Sequence, residues 1–175
     1  MPEWISAFTS LVALIAAGWA GFTASRLYGI ESGRDKRSED GRRREQAAKV
    51  AAWCAVHFDE DGTRSNGLVI RNGSEAPIYD LKVESNDFAG SSKPRLQLHV
   101  LPPGDYFAAE TGDSYRWAFP EHVQALSGLV RPITKKPEWR VTGFSFKDGQ
   151  DVCWERTDNC GLREVEPPVS PVPVA

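Results

Sequence analysis

Residues 68–83 run Leu-Val-Ile-Arg-Asn-Gly-Ser-Glu-Ala-Pro-Ile-Tyr-Asp-Leu-Lys-Val. The apolar run Leu68-Val69-Ile70 stops at Arg71-Asn72-Gly73-Ser74, a turn signal because Asn and Gly tolerate positive φ. Beyond it, Tyr79, Leu81 and Val83 alternate with Asp80, Lys82 and Glu84, which predicts a strand with one wet face. The same alternation returns in Leu96, Leu98 and Val100 and ends at Leu101-Pro102-Pro103-Gly104. There proline presets φ and glycine supplies the positive φ of a type II turn. Trp139 and Val141 give way to Phe144 and Phe146, so the inward parity changes at Gly143 and predicts a bulge. Lys147-Asp148-Gly149-Gln150 predicts a hairpin into Val152 and Trp154. A last short strand, Leu162 to Val165, follows the turn at Asp158-Asn159-Cys160-Gly161.

Two further features complete this body. Asp59-Glu60-Asp61-Gly62 lacks the alternating carboxylates and terminal Glu of a calcium loop, so it is expected to be an acidic hairpin turn. Pro120 at a first-turn position and Gly128 just past Val123, Ala125 and Leu126 predict one short helix. The fold class expected is mainly β: an antiparallel β-sandwich over residues 51–166. Trp53 would open its first strand, and Trp53, Trp117, Trp139 and Trp154 would fill the space between the sheets.

The chain has 175 residues, room for one such domain and an appendage but not for two domains. Its net charge of −3 excludes a nucleic-acid binder, which needs a basic field to collect phosphates. That charge is unevenly spread, at −1 over residues 1–25, +3 over 26–50 and −5 over 51–175. A neutral stretch, a basic collar and an acidic body predict a membrane span, a membrane-surface segment and a separately folded head.

From Trp4 to Ser25 there are 22 consecutive uncharged residues. At about 1.5 Å per helical residue they cover a hydrocarbon core of about 30 Å. Trp4, Ile5, Leu11, Leu14, Ile15, Trp19 and Phe22 supply the apolar and interfacial side chains of this transmembrane helix, residues 1–25. A secretory signal would begin with a basic region, and this chain begins Met-Pro-Glu. No Lys or Arg precedes the span, whereas Arg26, Arg34, Lys36, Arg37 and Arg42-Arg43-Arg44 follow it. The positive-inside rule then places the N-terminus outside and the head in the cytoplasm. Thr9, Ala13, Ala17 and Gly21 form a row of small residues that suits close helix packing. A homodimer through the span and a monomeric anchor are both compatible with that row.

Residues 26–50 contain no large apolar residue between Glu31 and Gln46, which suits a charged juxtamembrane helix or linker. Arg42, Arg43 and Arg44 could meet lipid headgroups at about 1 kcal/mol each, or they could serve only to set topology. The interspersed acidic residues favour topology. Residues 167–175, Pro-Pro-Val-Ser-Pro-Val-Pro-Val-Ala, form a proline-rich tail expected to be disordered; an aromatic groove could bind it.

The sequence is poor in chemistry. Cys54 and Cys153 sit in strand patterns, and Cys153-x6-Cys160 is not a usual zinc spacing. A cytoplasmic head keeps all three thiols reduced, whereas the reversed topology would permit a Cys153–Cys160 disulfide. His57, His99 and His122 are far apart, and a triad built from His57, Asp59 and a serine has no supporting motif. Asn72-Gly73-Ser74 matches a glycosylation acceptor but is better explained as turn chemistry. No catalytic residue, cofactor or metal is expected.

The span, the Arg/Glu-rich segment ending in Ala51-Ala52-Trp53, the Val69–Val83 stretch, Leu101-Pro102-Pro103-Gly104 and Phe146–Arg156 together resemble uncharacterised single-pass membrane proteins of high-GC actinobacteria. The resemblance implies an anchored immunoglobulin-like head and brings no activity. The expected function is an adaptor or assembly protein that contacts the lipid bilayer and binds an unknown protein partner through its head. The alternatives are a membrane-associated enzyme gathering histidines and Cys153 in one pocket, and a membrane-perturbing protein acting through span oligomerisation.

Overall fold

The computed structural model describes residues 19, 39–112, 117–157 and 161–166. The chain divides into two compact units, Met1–Arg44 and Glu45–Ala175. In the first, Trp19 is helical and exposed, and a helical stretch begins at residue 39, running to 48. Arg43 Nη2 lies 2.6 Å from Glu39 Oε1, an i,i+4 pair. Trp4, Ile5, Leu11, Leu14, Ile15 and Phe22 of the expected span lie outside the described residues, as do Thr9, Ala13, Ala17 and Gly21. Among the described residues no helix is long and apolar enough to cross a membrane.

The second unit is mainly β. Its strands are β1 (Val50–Phe58), β2 (Arg64–Asn72), β3 (Ile78–Ser85), β4 (Leu96–Leu101), β5 (Gly104–Ala109), β6 (Glu121–His122), β7 (Leu129–Pro132), β8 (Val141–Lys147), β9 (Cys153–Thr157) and β10 (Leu162–Val165). They form two antiparallel sheets, β6-β5-β2-β1-β7 and β10-β9-β8-β3-β4. One core lies between them, with Val50, Cys54, Leu68, Ile70 and Ala108 from the first sheet against Leu81, Val83, Leu96, Phe144 and Trp154 from the second. Burying each large side chain contributes about 1.5–3 kcal/mol, so this shared layer is what holds the two sheets together.

Short-range chemistry explains the hairpins. At the β1–β2 turn, Asp59 N–H donates to Thr63 O and Gly62 adopts φ +85°. At the β8–β9 turn the Asp148 carboxylate accepts from Gln150 N (2.8 Å) and Val152 N (3.1 Å) at one oxygen and from Trp154 Nε1 (2.8 Å) at the other. The bulge near Gly143 is present, because β3–β8 pairing shifts register between Glu84↔Gly143 and Ser85↔Val141.

Several expectations need correction. The first strand begins at Val50, not at Trp53. The chain does turn at Asn72-Gly73-Ser74 and at Pro102-Pro103, and each turn carries it from one sheet to the other. Tyr79 does not share the inward face of Leu81, since Asp80 takes φ +48° within a bulge and turns Tyr79 outward beside Val100. The predicted helix is only a 3₁₀ turn, Val123–Ala125, because Glu121 and His122 pair with β5 first. Trp117, Trp139 and Trp154 join the core between the sheets, whereas Trp53 faces the opposite side of the first sheet. There Trp53, Val69, Phe107, Val123, Leu126 and Val130 form a second apolar cluster, covered by the 121–130 segment acting as a strap.

Candidate functional site

The four sheet edges differ in what they expose. β6 has two residues, β7 carries Arg131 and Pro132, and β10 carries Arg163 and Glu164. β4 is six residues, Leu-Gln-Leu-His-Val-Leu, without Lys, Arg, Asp, Glu or Pro. It pairs only with β3 among the described strands. Edge strands are normally blunted by charge, proline or brevity, because their open N–H and C=O groups recruit another strand. β4 has none of these protections inside it. Ion pairing flanks it instead, Arg95 Nη2 contacting Glu84 Oε1 on β3.

The side chains around β4 are mixed. Val100 and its cross-strand neighbour Tyr79 are both exposed apolar residues. His99 is 96% exposed and its Nδ1 lies 3.3 Å from Asp80 Oδ1. A groove of about 570 Å³ runs from β4 over the outer face of the second sheet, past Lys82 and Ser145 to Lys147, Cys153 and Val165. Lys147 is held protonated to higher pH than usual, chiefly by its hydrogen bond to Asp151 at 3.0 Å. The Lys82 side chain forms no ion pair or hydrogen bond with any described residue.

This groove does bring together His99, Cys153 and Asp80. His99 is on β4 and Cys153 on β9, however, with β3 and β8 between them. Three strand spacings amount to about 14 Å, well beyond hydrogen-bond reach of a thiol and its base. The second histidine environment fails differently. His57 Nε2 faces the backbone oxygen of Ser127 at 2.5 Å, so its Nε2 must carry the proton. The Ser127 hydroxyl donates instead to Asp59 Oδ1 at 2.5 Å, and Ser127 is thereby locked to a carboxylate. That hydrogen bond, then the Glu60 N–H, holds Asp59 below the usual carboxylate range. The serine and histidine that sequence alone could pair on paper are therefore neighbours without a serine–imidazole hydrogen bond. His122 stacks on Tyr106 at 4.2 Å.

The thiols are equally undirected. Cys54 is buried, and desolvation pushes its pKa up from 9.0 to about 11. Cys160 lies outside the described residues. Among the described residues no group of three His, Cys, Asp or Glu side chains is placed to hold a metal ion. Arg42 and Arg44 are exposed and Arg43 is half-buried on the 39–48 helix.

The alternation of Leu96, Leu98 and Val100 marks β4 in the sequence but carries nothing about its openness. That property belongs to the sheet order, and its one local signal was a strand without charged residues. A search of protein-family models, curated proteins and solved structures finds none that matches this chain.

Proposed function

We propose that this protein is a single-pass membrane anchor whose cytoplasmic β-sandwich head binds an extended segment of a partner protein along β4, without catalysis. The observation that carries the reading is the unprotected β4 edge, with Tyr79 and Val100 exposed beside it. Strand addition gives affinity through main-chain hydrogen bonds, and side-chain pockets alternating along the edge give specificity. The outer groove beside β4 is where such alternating side chains would lie. An immunoglobulin-like assignment rests on strand order: β1-β2-β5 follows the A-B-E order of that fold, and β4-β3-β8-β9 follows C′-C-F-G. The anchor and its orientation rest on the uncharged residues 4–25 and on the arginines that follow them. Arg42, Arg43 and Arg44 set that orientation and sit at headgroup level.

The test is a photo-crosslinker at Gln97 in intact membranes, compared with the same chain carrying Val100→Lys and His99→Lys. Both substitutions are at exposed positions and should shift stability by no more than about 0.5 kcal/mol. Charge on the edge should cut recovery of the crosslinked partner by about tenfold, equivalent to about 1.4 kcal/mol. Recovery unaffected by the lysines would overturn the β4 reading.

A further inference from the structure

We propose that the proline-rich segment 167–175 of this chain docks into a second site, the Trp53 cleft on the outer face of the first sheet. The cleft has a volume of about 320 Å³, and Trp53, Val69, Val123, Val130, Pro132 and Ile133 line it. Its one carboxylate, Asp105, is already engaged by Arg71 Nε at 3.4 Å. The site therefore suits an uncharged apolar peptide, and residues 167–175 contain no charge and only proline, valine, serine and alanine. Trp53 adds a specific handle. It is half-buried, and its indole N–H donates to no described residue. A polyproline helix makes no internal hydrogen bonds, so its carbonyls are free to accept from such an N–H while a proline ring lies on the indole face.

The strand registers bring this segment to the right place. Val165 pairs with Cys153, Cys153 with Lys147, and Lys147 with Tyr79 at the start of β3. β3 follows directly on the crossing from Asn72, and Asn72 pairs with both Val50 and Gly104. β10 thus ends at the same end of the two sheets where the cleft opens, beside Asp105 and three residues from Val50. The lateral order agrees. Pro102 and Pro103 alone join β4 to β5, and β1 packs across β8, so β7 overlies the β9–β10 side. Pro132 ends β7, and Pro132 and Ile133 form the cleft wall nearest to β10. Passing around that edge crosses a sheet spacing of about 10 Å. The nine residues after Glu166 cover about 28 Å as a polyproline helix.

The experiment places a benzophenone amino acid at Val172 in the full-length chain in membranes, irradiates, and maps the products by mass spectrometry. Docking predicts a crosslink within one chain, to Trp53 or residues 130–134, at the mass of the monomer. Thr134→Asp, an exposed change at the cleft rim, should cut that product by about tenfold, and a synthetic peptide of residues 167–175 should compete with it. Trp53→Ala should do the same, with Thr134→Asp guarding against a folding defect in that variant. Absence of the crosslink, its formation between chains, its location on the second sheet, or indifference to Thr134→Asp would each overturn the proposal. The site is separate from β4, so this outcome is independent of what β4 binds.

Discussion

Asn72 is an amide buried to 1% exposure at the seam between two sheets, and its hydrogen bonds explain why it can be there. Its Nδ2 donates to Ala76 O and Leu101 O, each at 3.0 Å. Its Oδ1 accepts from Ser74 N at 3.1 Å and from Ser74 Oγ at 2.6 Å. One side chain therefore shapes the crossing from β2 to β3 and ties it to the end of β4. These contacts also explain why Asn72-Gly73-Ser74 is structural, since the amide nitrogen that glycosylation would use is already engaged. Replacing Asn72 with Ala leaves the Ser74 N–H and Leu101 O without that partner in a largely dry place, while Ala76 O keeps the Ser74 hydroxyl at 2.9 Å. The expected loss is about 2–4 kcal/mol, measured as a lower urea midpoint with unchanged slope. A loss below about 1 kcal/mol would show that water replaces the amide there.

Gly67 plays a comparable part for the strap. It lies within β2, and an added Cβ would overlap Ala108 O and the Phe107 ring on β5. The missing Cβ of Gly67 leaves room for the Phe107 ring against β2, where it is buried with Ala55 and Val69 beneath Val123 and Leu126. Gly67→Ala should cost about 1–3 kcal/mol through forced displacement of that ring. Hydrogen exchange should rise most in residues 121–130, which rest on it; a uniform rise would mean that the strap is not the element affected. The sequence disclosed some of this architecture and concealed the rest for identifiable reasons. Asp59–Gly62 and Asp148–Gln150 were legible because their turns are closed by neighbours in sequence. Asn72-Gly73 was legible as a turn but not as a crossing, since the same local chemistry serves a hairpin and a change of sheet. Asp80 was invisible as a bulge because nothing about an aspartate in an alternating run announces φ +48°. Pro120 and Gly128 frame the strap as they would frame a short helix, while the β5 pairing that straightens Glu121 and His122 is long-range. The openness of β4 was hidden for the same reason, as an edge is defined by which strand is absent.

At the scale of the whole molecule, the proposed anchor and the head constrain each other through the sign of the charges between them. Residues 26–50 carry a net +3 immediately after the uncharged stretch, and the head carries −5 beyond residue 50. Lys and Arg near a span resist crossing, whereas acidic residues contribute little to orientation, so the collar decides and the head follows it. The proposed topology predicts that the full-length chain stays with membranes after high-salt washing and leaves them only in detergent. A C-terminal tag should survive protease in sealed cells and be cleaved in inverted vesicles. Changing Arg42, Arg43 and Arg44 to Gln removes three of the eight basic residues of the collar and takes its net charge to zero. If these arginines set topology, the tag should become partly accessible in sealed cells, with membrane retention unchanged. If their role is instead to bind headgroups at about 1 kcal/mol each, topology should hold. In that case the loss should appear in binding to anionic vesicles. A tag accessible in sealed cells in the unaltered chain would reverse the orientation, expose Cys153 to an oxidising compartment, and move any partner of β4 outside the cell.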